Sequence, residues 1–205
     1  MKRTSYHHGA LRAELMAACL RLIETEGLAA VSLRRVAREA GVSSGAPYHH
    51  FPDRAALLAA LSIEGFHLLA EELRSARAAA EGTPLDALGA LAAAYVRFSR
   101  TRPAYFRLMF RPELSQPDKH PEAAAAGDAA FGVLAEAIGD CVAAGQLPAD
   151  KADTLGITWW AVGHGLASLW LDGQLGKRSA QLGTTAPELT DDVLATLVRL
   201  LRPHP

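Results

Sequence analysis

Little of this chain is aromatic and almost none of it is cysteine. Phe, Trp and Tyr make up 6% of its 205 residues, and the two cysteines are Cys19 and Cys141. The two lie in different segments without metal-type spacing, each on an apolar helical face. Neither a disulfide framework nor a zinc site is expected, and buried, reduced thiols point to the cytoplasm. Long hydrophobic runs are missing too. The longest apolar stretch, Ile157–Leu171, has about 15 residues and contains His164, too short to span a bilayer. The start is polar, so no signal peptide is expected, and no membrane partner. No run of alternating Val, Ile and Thr suggests a sheet. Catalytic signatures are lacking as well. Despite eight histidines, there is no nucleophile motif, phosphate-cradling glycine loop or HExxH helix. An enzyme is not expected, and no cofactor is implied. There is no internal repeat.

What is present is apolar and helical. Half the residues are apolar, with alanine prominent, which favours closely packed helices. The length supports one compact domain or two small ones with a real core. The expected fold is all-α, about nine helices in all.

The most informative stretch is Val31–Phe51. Ser32 is a good N-cap, and Leu33, Val36, Ala37 and Ala40 follow on one apolar face. Arg34, Arg35 and Arg38 fall on the remaining surface. Gly41 stands where the chain must leave the helix in a left-handed conformation. Val42 is apolar enough to hold the turn to a core. Ser43 or Ser44 is expected to cap a second, short helix over about 44–50, with Pro47 in its first turn. That helix presents Ser44, Gly45, Tyr48, His49 and His50. Small residues let backbone approach base edges, and Tyr and His reach phosphates or bases. Two short helices around a tight turn have the layout of a helix-turn-helix, whose second helix enters the major groove. The same pattern is also compatible with a plain helical hairpin. Asp53 reads as the cap of the next helix. Arg54 opposes that helix's dipole, which suggests a phosphate as its partner.

Context favours DNA. Upstream, Leu11, Leu15, Ala18, Cys19, Leu22 and Ile23 form an amphipathic helix ending at Gly27. Before it, Met1–Gly9 reads as a basic polar arm. Residues 1–54 hold eight Lys/Arg against five Asp/Glu, a net +3, which leaves −4 on the rest of a chain whose total is −1. A basic module on an acidic body suits nucleic-acid contact at one end.

Prolines and glycines divide the body into helices over about 53–80, 85–100, 103–110, 122–144, 148–173 and 187–201. Residues 111–121 and 176–187 read as loops. The 148–173 helix is apolar all round its axis, so it must be covered all round. The last helix is similarly over-apolar. Trp160, Leu166, Leu169 and Trp170 of the former, with Leu197 and Leu201 of the latter, are candidates for a two-fold four-helix interface. Phe66, Phe106, Met109, Phe110, Phe131 and Trp159 are candidate walls of a ligand pocket, although ordinary core packing explains each. His164 has two readings, a hydrogen-bonded core histidine or a polar handle in an apolar cavity. A metal is not expected there, because no His, Asp or Glu lies three or four residues beyond it.

The segment from Leu11 to Leu61 resembles the N-terminal domain of the tetracycline-repressor family of bacterial transcriptional regulators. It does so through Ala17-Ala-Cys-Leu-Arg-Leu-Ile-Glu-Thr-Glu-Gly-Leu28, Ser32-Leu-Arg-Arg-Val-Ala-Arg-Glu-Ala-Gly-Val-Ser43 and Tyr48-His-His-Phe-Pro-Asp-Arg-Ala-Ala-Leu-Leu58. Trp159-Trp-Ala-Val-Gly-His-Gly165 is similar to the Trp…His-Gly signature of one C-terminal domain type in that family. The middle, about 70–150, matches in helical pattern and in Arg102–Phe110. The resemblance implies a DNA-binding domain over 9–69, with its motif at about 32–51, and a ligand-binding and dimerisation domain over 84–202. It implies a homodimer that represses transcription at an operator in double-stranded DNA and lets go when a small molecule binds. Residue by residue, it implies DNA contact from Arg34 and from the 43–50 helix, Ser43, Ser44, Gly45, Ala46, Tyr48, His49 and His50, with Arg54 holding backbone. The position of Arg54 is often Lys in the family, which keeps the charge and changes the geometry. Sequence does not separate repressor from activator. A helical carrier or scaffold without DNA binding is the competing reading.

Overall fold

The computed structural model describes residues 4–111 and 118–202, the side chains of residues 4–9 excepted. Among the described residues every regular element is helical. The α-helices are α1 Thr4–Glu26, α2 Leu33–Glu39, α3 Arg54–Ala79, α4 Pro84–Thr101, α5 Pro103–Met109, α6 Pro121–Ala143, α7 Ala152–Leu171, α8 Gln174–Gln181 and α9 Ala186–Leu201. Three short 3-10 helices accompany them, at Leu28–Ala30, Ala46–His49 and Ala149–Lys151.

Local chemistry sets the boundaries. Thr83 caps α4: its hydroxyl accepts the Asp86 N–H at 3.3 Å, and the Asp86 carboxylate accepts the Thr83 N–H at 2.9 Å. Thr185 and Glu188 repeat this reciprocal cap at the start of α9. Each cap satisfies two backbone donors that a helix start leaves open.

The chain divides into two compact units, one of residues 1–65 with 104–125, the other of 66–103 with 126–205. In the first unit Leu15, Cys19, Leu22, Val36, Leu57 and Leu61 make a core that also takes Ala104 and Leu108 of α5. The sequence reading put the 103–110 helix in the body; its buried face belongs with α1, α2 and the start of α3. Gly65 allows the close approach of α5, since a Cβ there would sit 2.7 Å from the Met109 Sδ.

In the second unit α4 packs along α7 and α9, and α8 touches both of those helices. Leu85, Leu88, Leu91, Tyr95 and Phe98 form the buried side of α4. Arg77 near the end of α3 bridges Glu136 at 2.6 Å and Asp140 at 2.5 Å on α6.

Two expectations need correcting. The arm foreseen over residues 1–9 is α1 from Thr4 onward. The loop foreseen over 176–187 contains most of α8, which is polar yet amphipathic, with Leu175 and Ser179 buried one turn apart. Gly173 and Gly183, both at φ +70°, break the helix before and after it. Of the expected loop at 111–121, residues 112–117 lie outside the described residues, and α6 already begins at Pro121.

Candidate nucleic-acid interface

The interface is built from the ends of short elements. Ser32 caps α2, its Oγ accepting the Arg35 N–H at 3.3 Å. Leu33, Val36 and Ala37 face the core, while Arg34 and Arg38 are exposed. Arg35 is paired with Glu26, and Arg21 sits between Glu14 and Glu39 at 3.0 Å from each. These pairs spend two arginines on neighbouring carboxylates and leave the α2 outer face basic. Gly41 turns the chain at φ +70°, with the Val42 N–H returning to the Ala37 carbonyl at 2.9 Å. Val42 packs on the core, as its apolarity suggested.

The second element differs from expectation. It is a 3-10 helix, and its cap position is Gly45, without a side-chain cap bond, rather than Ser43 or Ser44. The Ser43 carbonyl instead accepts the Ala46 N–H at 3.0 Å, so backbone closes the first turn. The tighter i→i+3 winding follows from a proline in the second position of a run of only four residues. Pro47 is buried and anchors the element. Ser43, Ser44, Gly45 and His49 are exposed, Ala46 and His50 half-buried, and Tyr48 is 52% exposed.

Asp53 caps α3, accepting the Ala56 N–H at 2.8 Å. Arg54 does not point its fork to solvent. Its Nε donates to the Val31 carbonyl and its Nη2 to the Leu28 carbonyl, each at 3.0 Å. The dipole argument expected a phosphate as the partner of Arg54; in the structure its fork is held by the carbonyls of Leu28 and Val31.

The remaining expected sites separate. Phe106, Met109 and Phe110 belong to the first unit, where the two phenylalanine rings lie 5.2 Å apart and Met109 is buried. Phe66, Phe131, Trp159 and His164 belong to the second. His164 is half-buried and hydrogen-bonded to a neighbour. Its Nδ1 lies 2.9 Å from the Tyr95 hydroxyl, which accepts the Trp160 indole N–H at 3.3 Å. The Tyr95 oxygen has two lone pairs, so the imidazole tautomer sets which partner donates across the Tyr95–His164 bond. Burial lowers the His164 pKa from its ordinary value. Tyr95 is the residue sequence reasoning missed; its place on the α4 apolar face gave no polar signal. Trp159 is buried, and its indole N–H has no acceptor among the described residues. Both cysteines are buried as expected, and desolvation pushes the Cys19 thiol up to about 12 and Cys141 to about 11.

Of the expected interface residues, Leu166 is buried inside its own unit at 6% exposure, because it faces α4 rather than outward. Arg100 covers one face of Trp170 from 3.9 Å, and Leu197 and Leu201 are half-buried. Trp160 and Leu169 are exposed, joined by Ile157, and Phe131 meets Trp160 edge-on. Among the described residues no helix is long and apolar enough to cross a membrane, and no cluster of possible metal ligands occurs.

Two family models match the chain. Residues 15–61 match bacterial regulatory proteins of the tetR family, and residues 88–202 match the tetracyclin repressor-like C-terminal domain. A Rhodococcus sp. RHA1 protein of unknown function is 33% identical, with a TM-score of 0.80 over 98% of this chain and 100% of its own. A tetR-family regulatory protein from Rhodococcus RHA1 shares the fold at 18% identity, with a TM-score of 0.74 over 95% of this chain and 98% of its own. So does the Bacillus subtilis regulator FadR, in complex with stearoyl-CoA, at 14% identity and a TM-score of 0.71 over 91% and 97%. No curated protein matches the chain in sequence.

Proposed function

The chain belongs to the tetR family of bacterial regulatory proteins, and from that premise we propose that it is a homodimeric repressor that holds a palindromic operator and releases it on binding a small molecule. The observation that carries the reading is the exposed segment Ser43–His49, set between the Gly41 turn and the α3 cap on a basic outer face. Arg34 would meet phosphate, with Ser43, Ser44, Gly45, Ala46, Tyr48, His49 and His50 facing the groove. The exposed Ile157, Trp160 and Leu169 would meet their copies across a two-fold axis. Half-sites of such a dimer would lie about 34–36 Å apart.

The effector would occupy the second unit. Trp159, with its buried indole N–H, supports a ligand that carries an acceptor on an otherwise apolar body. Because α3 begins in the first unit and ends in the second, it is the natural carrier of the signal. Moving operator occupancy from 99:1 to 1:99 would need about 5.5 kcal/mol of differential affinity, and operator DNA must weaken effector binding by the same factor.

The test is selection of duplexes from a random pool by the purified full-length chain, followed by binding measurements at several salt concentrations. A recovered palindrome bound with a salt-dependent affinity supports the reading. Indifference to every duplex at low ionic strength overturns it in favour of a helical carrier.

A further inference from the structure

The donors of Arg54 point to a role that the charge of this position does not suggest. Resting on the DNA-binding reading above, we propose that Arg54 is a positioning residue that clamps the two ends of the helix-turn-helix together. The two acceptors are the carbonyls of Leu28, which opens the 3-10 turn, and of Val31, which follows it. The Leu28 carbonyl already accepts the Val31 N–H at 3.2 Å, and its second lone pair takes the Arg54 Nη2. The Val31 carbonyl takes Nε. Adjacent donors on one rigid planar edge thus grip both acceptors at once, and the cationic donor strengthens each bond.

The consequence is geometric. Val31 immediately precedes the Ser32 cap of α2, and Arg54 is the first residue of α3, just past the recognition segment. Everything that would touch DNA, from Arg34 to His50, lies between the two clamped points. The clamp therefore closes a loop of backbone whose middle is the reading element. The guanidinium is half-buried, which holds it in place against the two carbonyls. A lysine offers one nitrogen on a flexible stem and cannot hold two carbonyls in a fixed plane, so here arginine is a geometric requirement rather than a charge.

The experiment compares the full-length wild type with Arg54→Lys and Arg54→Ala. Each is titrated with a duplex selected by the wild type and with a random-sequence duplex, from 50 to 300 mM KCl, and circular dichroism gives the folded fraction. Clamping predicts that both variants, while folded, lose about tenfold or more in affinity for the selected duplex, keep their affinity for the random one, and keep the wild-type salt slope. Overturning it takes either of two outcomes. If Arg54→Lys binds like wild type while Arg54→Ala weakens both duplexes, with a slope smaller by about one per half-site, the residue is a phosphate contact. Should folded variants of both kinds bind both duplexes as the wild type does, the clamp is merely structural. If Arg54→Ala fails to fold, Arg54→Lys decides alone. A wild type that selects no duplex refutes the DNA-binding reading itself, which is a different result from wild-type behaviour in Arg54→Lys.

Discussion

Single side chains here divide by what they already hold. Arg35, Arg21 and Arg54 are bonded within the first unit, whereas Arg34 is an exposed cation on the outer face of α2. Arg34→Ala is therefore expected to weaken binding to all duplexes about equally, with a salt slope smaller by about one per half-site. His49→Ala, at an exposed position of the recognition segment, should instead reorder the sequences selected from a random pool. An unchanged ranking would remove His49 from base reading. The Tyr95, His164 and Trp160 chain makes a different statement. Tyr95→Phe leaves the half-buried His164 and the exposed Trp160 without their shared hydroxyl and should cost about 1 kcal/mol in urea unfolding. Burial lowers the folded His164 pKa below the ordinary 6.5, so the unfolded chain is the stronger base at that site. Its contribution to stability is whole above that pH and is lost as pH falls through and below it. His164→Gln, which keeps a hydrogen-bonding partner for Tyr95, should flatten the dependence of unfolding free energy on pH below 6.5. An equally steep profile would assign that dependence to other groups.

Elements were legible where punctuation and periodicity agreed. Gly41, Thr83-Pro84, Pro103 and Pro187 marked ends that the structure keeps within a residue or two. Nine helices were expected and nine α-helices occur among the described residues, but the agreement hides an exchange. The recognition segment is a 3-10 helix, and α8 takes the ninth place. Both differences have one cause: segments of four to eight residues are fixed by what they pack on, and no sequence window that short records its neighbours. Of the site, the turn and its exposed polar face were readable. The Arg54 clamp was not, because a side chain's choice between phosphate and a carbonyl 26 residues away depends on tertiary placement. Gly41 offers a clean measurement at this scale. A Cβ there would meet nothing within 4 Å, so the cost of Gly41→Ala is conformational alone, about 1–2 kcal/mol for the left-handed backbone. Gly41→Asn should recover part of it, because Asn tolerates that region. Equal loss in both variants, by chemical denaturation, would mean that something other than the backbone angle is at stake.

For the whole molecule, α7 decides whether one chain suffices. A helix apolar on every side was expected to need a partner, and the structure sorts those sides. Trp159, Gly163 and Leu166 are covered within the second unit, whereas Ile157 is 54% exposed, Leu169 46% and Trp160 38%. These exposed positions spread over about half of the α7 circumference at roughly 100° per residue, and apolar surface left in water costs about 25 cal/mol for each Å². If the proposed dimer forms through α7, glutamate placed there separates the subunits without unfolding them. Ile157→Glu with Leu169→Glu is expected to give a helical monomer at micromolar concentration by sedimentation velocity. Operator affinity should fall steeply, because each half-site then binds alone. Leu166→Glu, one turn away on the covered side, should instead unfold the second unit, since it buries a charge with no partner. Were the doubly substituted chain still dimeric, α7 would not carry the interface. Unimpaired operator binding by a proven monomer would go further and remove symmetry from the account of how this chain reads DNA.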